Sequence, residues 1–198
     1  MKYVTPIDEI ELSQIRKHNP LLKMEQVSLN VSQDSFEFWY DKIAKRKNRR
    51  GEVVMVLQNS SSEILLHTKA TYPTGIFRLL SGGIDYKESV IDAALRESFE
   101  ETSLDVKLES VLGIITTTFI NSNKSLQFVS YIVNLSFTNG EPFPHDPNEK
   151  ISGYKTVSVA GLKEISYQLN SLKNQWQDWG RFRALAHDLA YESLSSVQ

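Results

Sequence analysis

The sequence predicts an α+β fold in which a mixed β-sheet is covered on both faces by helices. Two observations carry this. Short β-rich runs stand on both sides of one helical segment, residues 89–102, and the chain closes on further helical segments, 162–172 and 175–194. Strands that flank a helix and are followed by helices pack most simply as layers around one sheet. The elements can be justified in order. Ile7, Ile10, Leu12 and Ile15 have loose helical spacing, and Asn19-Pro20 closes that segment. Phe36, Phe38, Trp39 and Ile43 form a second amphipathic stretch, which runs into a tract where six of nine residues from Lys42 to Arg50 are basic. A boundary near Gly51 follows. Residues 52–58 and 63–68 are β-rich and are separated by Asn59-Ser60-Ser61-Ser62 as a turn. Residues 77–80 form a short strand that ends at a Ser81-Gly82-Gly83 turn. Residues 111–120 and 126–137 form a hairpin across Asn121–Lys124. Residues 139–150 are a loop, and 154–159 a last strand.

Length and composition bound the rest. At roughly 150 residues per domain, 198 residues make one domain with extensions. The expected division is an N-terminal helical extension at 1–48, a core at 49–172 and a C-terminal helix at 173–198. The chain has no cysteine, which excludes a disulfide scaffold, a thiolate nucleophile and a Cys-ligated metal. The longest apolar run is Val53–Leu57, far short of the roughly 20 residues that span a bilayer. The N-terminus lacks the basic and apolar regions of a secretory signal. A soluble cytoplasmic protein with no membrane partner is expected. The net charge of −2 is uninformative, but residues 51–110 carry ten Asp/Glu against five Lys/Arg. That acid gathers between Asp85 and Glu109.

The chemistry lies in the helix within residues 82–104, GGIDYKESVIDAALRESFEETSL. At 100° per residue, Glu97, Glu100 and Glu101 share an arc of about 100°. Ile91, Leu95, Phe99 and Thr102 fall on another arc, expected to face the sheet. Like charges three and four residues apart repel, and a hard cation with oxygen ligands relieves the repulsion. A solvated acidic face, with Ser89/Asp92 or Asp85/Glu88 as a capping box, is the plainer alternative.

The wider spacing decides between them. Gly82, five residues, Glu88, seven residues, Arg96-Glu97, two residues, Glu100-Glu101, two residues, Leu104 resembles the Nudix box of the Nudix hydrolases. The likeness extends more loosely over 50–165. Two positions depart from the pattern. Ser98 stands where an aliphatic residue is usual, and its hydroxyl can bond back to the Ala94 carbonyl. Ser103 stands where glycine usually ends the helix, at a cost of up to roughly 1 kcal/mol or a different helix end.

The resemblance implies a Nudix-type α/β/α sandwich. It also implies a pyrophosphohydrolase that splits a nucleoside diphosphate linked to another moiety X, with water attacking phosphorus. Mg²⁺ is the implied cofactor, with Mn²⁺ as a substitute. By position, Glu97, Glu100 and Glu101 are implied metal ligands and catalytic residues. Glu88 and the carbonyl of Gly82 (or Gly83) are further ligand candidates, and Arg96 orients the glutamates. Glu141 and Glu149 are candidates for the general base, and Arg78 for a phosphate contact. The Trp176/Trp179 stripe, continued by Phe182 and Leu185, is expected to pack the last helix, with a ring available to a base. The alternative is a catalytically weak Nudix domain that senses a nucleotide. X is not legible in the box: ADP-ribose, sugar nucleotides, dinucleoside polyphosphates, NADH, modified nucleoside triphosphates and capped RNA all fit. A homodimer is compatible with the sequence.

Overall fold

The computed structural model describes residues 2–3, 7–19, 22–45 and 49–196. Its strands are β1 (Lys2–Tyr3), β2 (Lys23–Asn30), β3 (Arg49–Gln58), β4 (Ile64–Lys69), β5 (Leu80–Asp85), β6 (Lys107–Asn121), β7 (Lys124–Ser136) and β8 (Ile151–Val157). Its α-helices are α1 (Glu9–His18), α2 (Gln33–Tyr40), α3 (Val90–Thr102), α4 (Gly161–Asn170) and α5 (Gln177–Ser195). The α2 helix continues into a π-helical turn, Asp41–Lys45. The sheet runs β2-β6-β7-β3-β4-β8, with β1 beside β7 and β5 beside β3. It is mixed: β6 and β7 form an antiparallel hairpin, whereas β2 runs parallel to β6 and β3 parallel to β7.

The all-apolar run of β3 explains the layering. Val53, Met55 and Leu57 pack in one core with Leu12 and Ile15 of α1 and Val90, Ala93 and Ala94 of α3. Val54 and Val56 pack in the other, with Leu162, Ile165 and Leu169 of α4 and Ala184 and Leu189 of α5. A strand covered on both faces has no polar side to alternate with. A third cluster joins the two ends of the chain. Phe36, Trp39 and Ile43 meet Phe119, Leu126 and Phe128 of the hairpin and Phe182 of α5. Trp39 stacks on Phe119 at 4.1 Å, and Phe119 meets Phe182 edge-on at 5.1 Å.

Three local expectations are corrected. The N-terminal extension is not wholly helical, because Lys23–Asn30 adds strand β2 to the edge of the sheet. Its half-buried positions include Lys23 and Glu25 beside Val27, so the alternation that marks a strand is masked. Gly82 and Gly83 are not a turn. They lie within β5, paired with Val53 and Glu52 of β3; of the strand expected at 77–80, Arg78 bridges His67 and Leu80 opens β5. The third correction concerns α3.

Candidate active site

The helix α3 turns its carboxylate face inward. Val90, Ala93, Ala94, Glu97, Ser98, Glu101 and Thr102 are buried. Ile91, Leu95 and Phe99, expected against the sheet, are 36%, 36% and 43% exposed. Small side chains explain the reversal. Ala93 and Ala94 let the helix approach β5 closely, and the remaining gap is filled by Glu97 and Glu101. Phe99 is partly covered from outside by His145, with ring centroids 4.6 Å apart. The helix is capped at both ends. Ser89 Oγ accepts from the Asp92 amide at 3.0 Å. Ser103 adopts the left-handed conformation at φ 55° and donates its amide to the Phe99 carbonyl, so the departure from glycine leaves the helix end unchanged. The Ser98 hydroxyl makes no hydrogen bond, and the expected bond to Ala94 is not formed.

Burying carboxylates is costly unless they are paired, and two protein cations pair these. Arg96 donates to Glu88 at 2.7 and 2.9 Å, to Glu97 at 2.9 Å, to Glu100 at 3.1 Å and to the Gly83 carbonyl at 2.9 Å. Those bonds hold the Glu88 carboxyl below its usual range. Glu88 also accepts from the Asp85 amide. Lys69 of β4 bridges Glu101, at 2.9 Å, and Glu149. Burial raises the Glu97 carboxyl, against the pull of Arg96. Burial lifts Glu101 further, to about 7, although Lys69 and Arg78 oppose it.

The strand side fits these groups closely. A Cβ on Gly82 would lie 1.8 Å from Glu97 Cδ, and one on Gly83 would lie 2.3 Å from Arg49 Nε. The glycines therefore serve close approach: one lets a carboxylate reach the strand, the other lets an arginine cross it. A cavity of about 1050 Å³ opens here. Glu97, Glu100, Glu149, Gly82 and Gly83 line it, as do Phe38, Tyr72, Trp176 and Trp179.

The motif residues thus part company. Glu97, Glu100, Arg96 and Gly82 share the cavity wall. Glu101 is wholly buried beside Lys69 and does not line it. Glu88 is committed to Arg96 and the Asp85 amide. Arg78 touches the cavity but is 4% exposed. Its guanidinium donates to the Tyr72 hydroxyl, the Leu79 carbonyl and Ser81, bonds that a phosphate would have to displace. Of the two loop glutamates, Glu149 lines the cavity, whereas Glu141 is exposed and does not. Trp176 and Trp179 line the cavity as well as packing α5. Sequence reasoning missed Lys69, Arg49, Glu52 and Arg183. Arg183 of α5 reaches the buried Glu52 at 2.9 Å, and Ser130 donates to the same carboxylate. A buried glutamate within an apolar strand was the one available signal. His187, assigned nothing from sequence, accepts the Leu79 amide at Nε2, 3.0 Å away. Its Nδ1 lies 2.9 Å from the Arg183 carbonyl.

Among the described residues no three His, Asp or Glu are already grouped to hold a metal ion. The donor types nonetheless suit a hard cation: Glu97 is pressed onto backbone at Gly82 with no room for a side chain between, and Glu100 and Glu149 open into the same cavity.

A family model described as NUDIX domain matches residues 48–178. The chain belongs to the Nudix family. Among solved structures, a UDP-X diphosphatase is 13% identical, with a TM-score of 0.50 over 98% of this chain and 74% of its own. A MutT protein from Methanosarcina mazei Go1 is 13% identical over 89% of this chain and 99% of its own, with a TM-score of 0.49. An Ap4A hydrolase from C. elegans is 15% identical over 74% of this chain and 96% of its own, also at 0.49. At such identities the likeness is one of fold. No curated protein matches the chain. No helix among the described residues is long and apolar enough to cross a membrane.

Proposed function

We propose that the protein is a Mg²⁺-dependent pyrophosphohydrolase acting on a nucleoside diphosphate linked to a second moiety X, with Mn²⁺ as a substitute metal. The observation that carries the reading is the meeting of Glu97, Glu100 and Glu149 with the Gly82 backbone in one cavity large enough for a nucleotide derivative. Glu97, Glu100 and the Gly82 carbonyl would hold the metal. Glu101 would join them on leaving Lys69. Bound there, the metal would neutralise the diphosphate and acidify the attacking water. Arg96 fixes Glu97 and Glu100 through its fork of donors. Glu149, on a loop and held by a flexible lysine, is the candidate base, since it can turn toward water without disturbing α3. Lys69 keeps Glu101 and Glu149 neutralised until anionic substrate and metal compete for the same charges. A cytoplasmic setting and a homodimer belong to this proposal and rest on sequence alone.

The second reading is a nucleotide sensor with weak turnover. The ion pairs that Lys69 makes with Glu101 and Glu149 favour it, because a metal must displace them. Release of phosphate or nucleotide from diphosphate-linked compounds, with Mg²⁺ and with chelator, separates the two. An enzyme turns over only with metal. A sensor binds without turnover.

A further inference from the structure

Most cations that line the cavity are already engaged. Lys69 pairs with Glu101 and Glu149, Arg96 with three glutamates, and Arg183 with Glu52, while Arg78 is buried in hydrogen bonds. Lys42 lies over the Phe38 ring, so among the described residues Arg49 is the exception. It stands exposed at the start of β3, lines the cavity, lies across Gly83 and makes no ion pair with a described residue. It is therefore next to the strand against which Glu97 is pressed. A guanidinium with unused donors is a bidentate match for phosphate oxygens.

The cavity wall also carries aromatic rings. Trp179 is held between Tyr72, at 4.9 Å and a tilted angle, and Trp176, at 5.3 Å and edge-on. Trp176 itself is half-buried and lies in the short turn before α5, beside Asn174 and Gln175, which also line the cavity. A half-buried indole on the cavity wall with amide side chains beside it suits a planar heteroaromatic ring: the indole offers stacking area, and the amides can reach ring-edge donors and acceptors.

We propose that Arg49 clamps the substrate's diphosphate and that Trp176 stacks on a planar aromatic ring of the same molecule. Both residues lie outside the glutamate motif. The proposal deepens the hydrolase reading and rests on it for the identity of the anionic group. It defines the accepted class as diphosphates that carry a heteroaromatic ring, and places recognition of that ring on the segment leading into the C-terminal helix.

The test is direct binding to the full chain by calorimetry, in chelator so that no metal contributes. The probes are inorganic pyrophosphate and ADP, which differ by the nucleoside. Arg49→Gln should weaken both by about tenfold, the loss of one charge-assisted phosphate contact. Trp176→Ala should weaken ADP by about tenfold and leave pyrophosphate within about twofold, as loss of one base–aromatic stack predicts. Trp176→Phe, which keeps a ring, should retain most of the ADP affinity. The proposal is overturned if Trp176→Ala weakens both probes alike or leaves ADP unchanged. It is also overturned if Arg49→Gln leaves pyrophosphate unchanged, or if the parent binds neither probe. Binding as described without metal-dependent hydrolysis would instead contradict the hydrolase reading alone.

Discussion

The carboxylate of Glu97 rests directly on the backbone of Gly82, so closely that a methyl group there would fall 2.1 Å from its Oε2. The contact joins the first residue of the motif to the glutamate that follows Arg96 and sets how α3 sits on β5. Gly82→Ala should expel the Glu97 side chain. A hydrolysis assay is expected to show a loss of about 10²-fold, and denaturant unfolding a cost of about 1–3 kcal/mol from overpacking. Unchanged turnover would mean that this contact is not part of the site.

Glu100 offers a cleaner test of chemistry apart from folding. Its side chain is 35% exposed and shares Arg96 with two other carboxylates. Glu100→Gln keeps shape and removes charge. Turnover should fall by roughly 10²-fold, as when a charge-stabilising group in phosphoryl transfer is lost. Unfolding free energy should move by no more than about 0.5 kcal/mol. Near-parental rates would move the metal site elsewhere.

Much of this was legible in the sequence, for identifiable reasons. The strand–helix order, the β6–β7 hairpin and the capped motif helix each have local signatures: alternating or β-branched runs, Asn-Ser-Asn turns and a Ser89/Asp92 cap. The orientation of α3 was not legible, because helical periodicity marks Ile91, Leu95 and Phe99 as the apolar stripe. The packed face is instead chosen by the size of Ala93 and Ala94 and by the partners of Glu97 and Glu101. Those partners, Lys69 and Gly82, are distant in sequence from the glutamates. Strand β2 was hidden by Lys23 and Glu25 at half-buried positions. In the sequence Arg49 is one of several basic residues in the Lys42–Arg50 tract, and Arg46, Lys47 and Asn48 of that tract lie outside the described residues. Only the fold assigns Arg49 to the cavity.

Stability should depend on pH through groups of opposite sign. Burial lowers His187 from 6.5 to about 3, and pushes His67 down as well. Their neutral forms stabilise the fold above about pH 6.5, and that contribution is lost as pH falls toward 3. Burial raises Glu101 from 4.5 to about 7. Its contribution is full below about pH 4.5 and is lost as pH rises through 7. Denaturant unfolding in chelator between about pH 4 and 6.5 should show the histidine slope reduced in His187→Gln, whose amide oxygen can still accept the Leu79 amide. An unchanged slope would remove His187 as its source.

Phe182 ties the two chain ends together. It is 4% exposed and contacts Trp39, Phe119 and Phe128. Phe182→Ala should cost about 3–5 kcal/mol and loosen α2 as well as α5. Proteolysis is expected to cut the variant first within residues 31–45. A variant as stable and as resistant as the parent would make the N-terminal segment independent of the C-terminal helix.

In the proposed function, clustered carboxylates on α3 and its facing loop serve metal-assisted cleavage of a diphosphate. Release of nucleotide from a panel of ring-bearing diphosphates, followed as Mg²⁺ is titrated into metal-free protein, tests it most directly. No turnover is expected in chelator, and saturable turnover with added Mg²⁺, largely abolished in Glu100→Gln. Full turnover after exhaustive chelation, or none on any diphosphate at saturating Mg²⁺ or Mn²⁺, would contradict it.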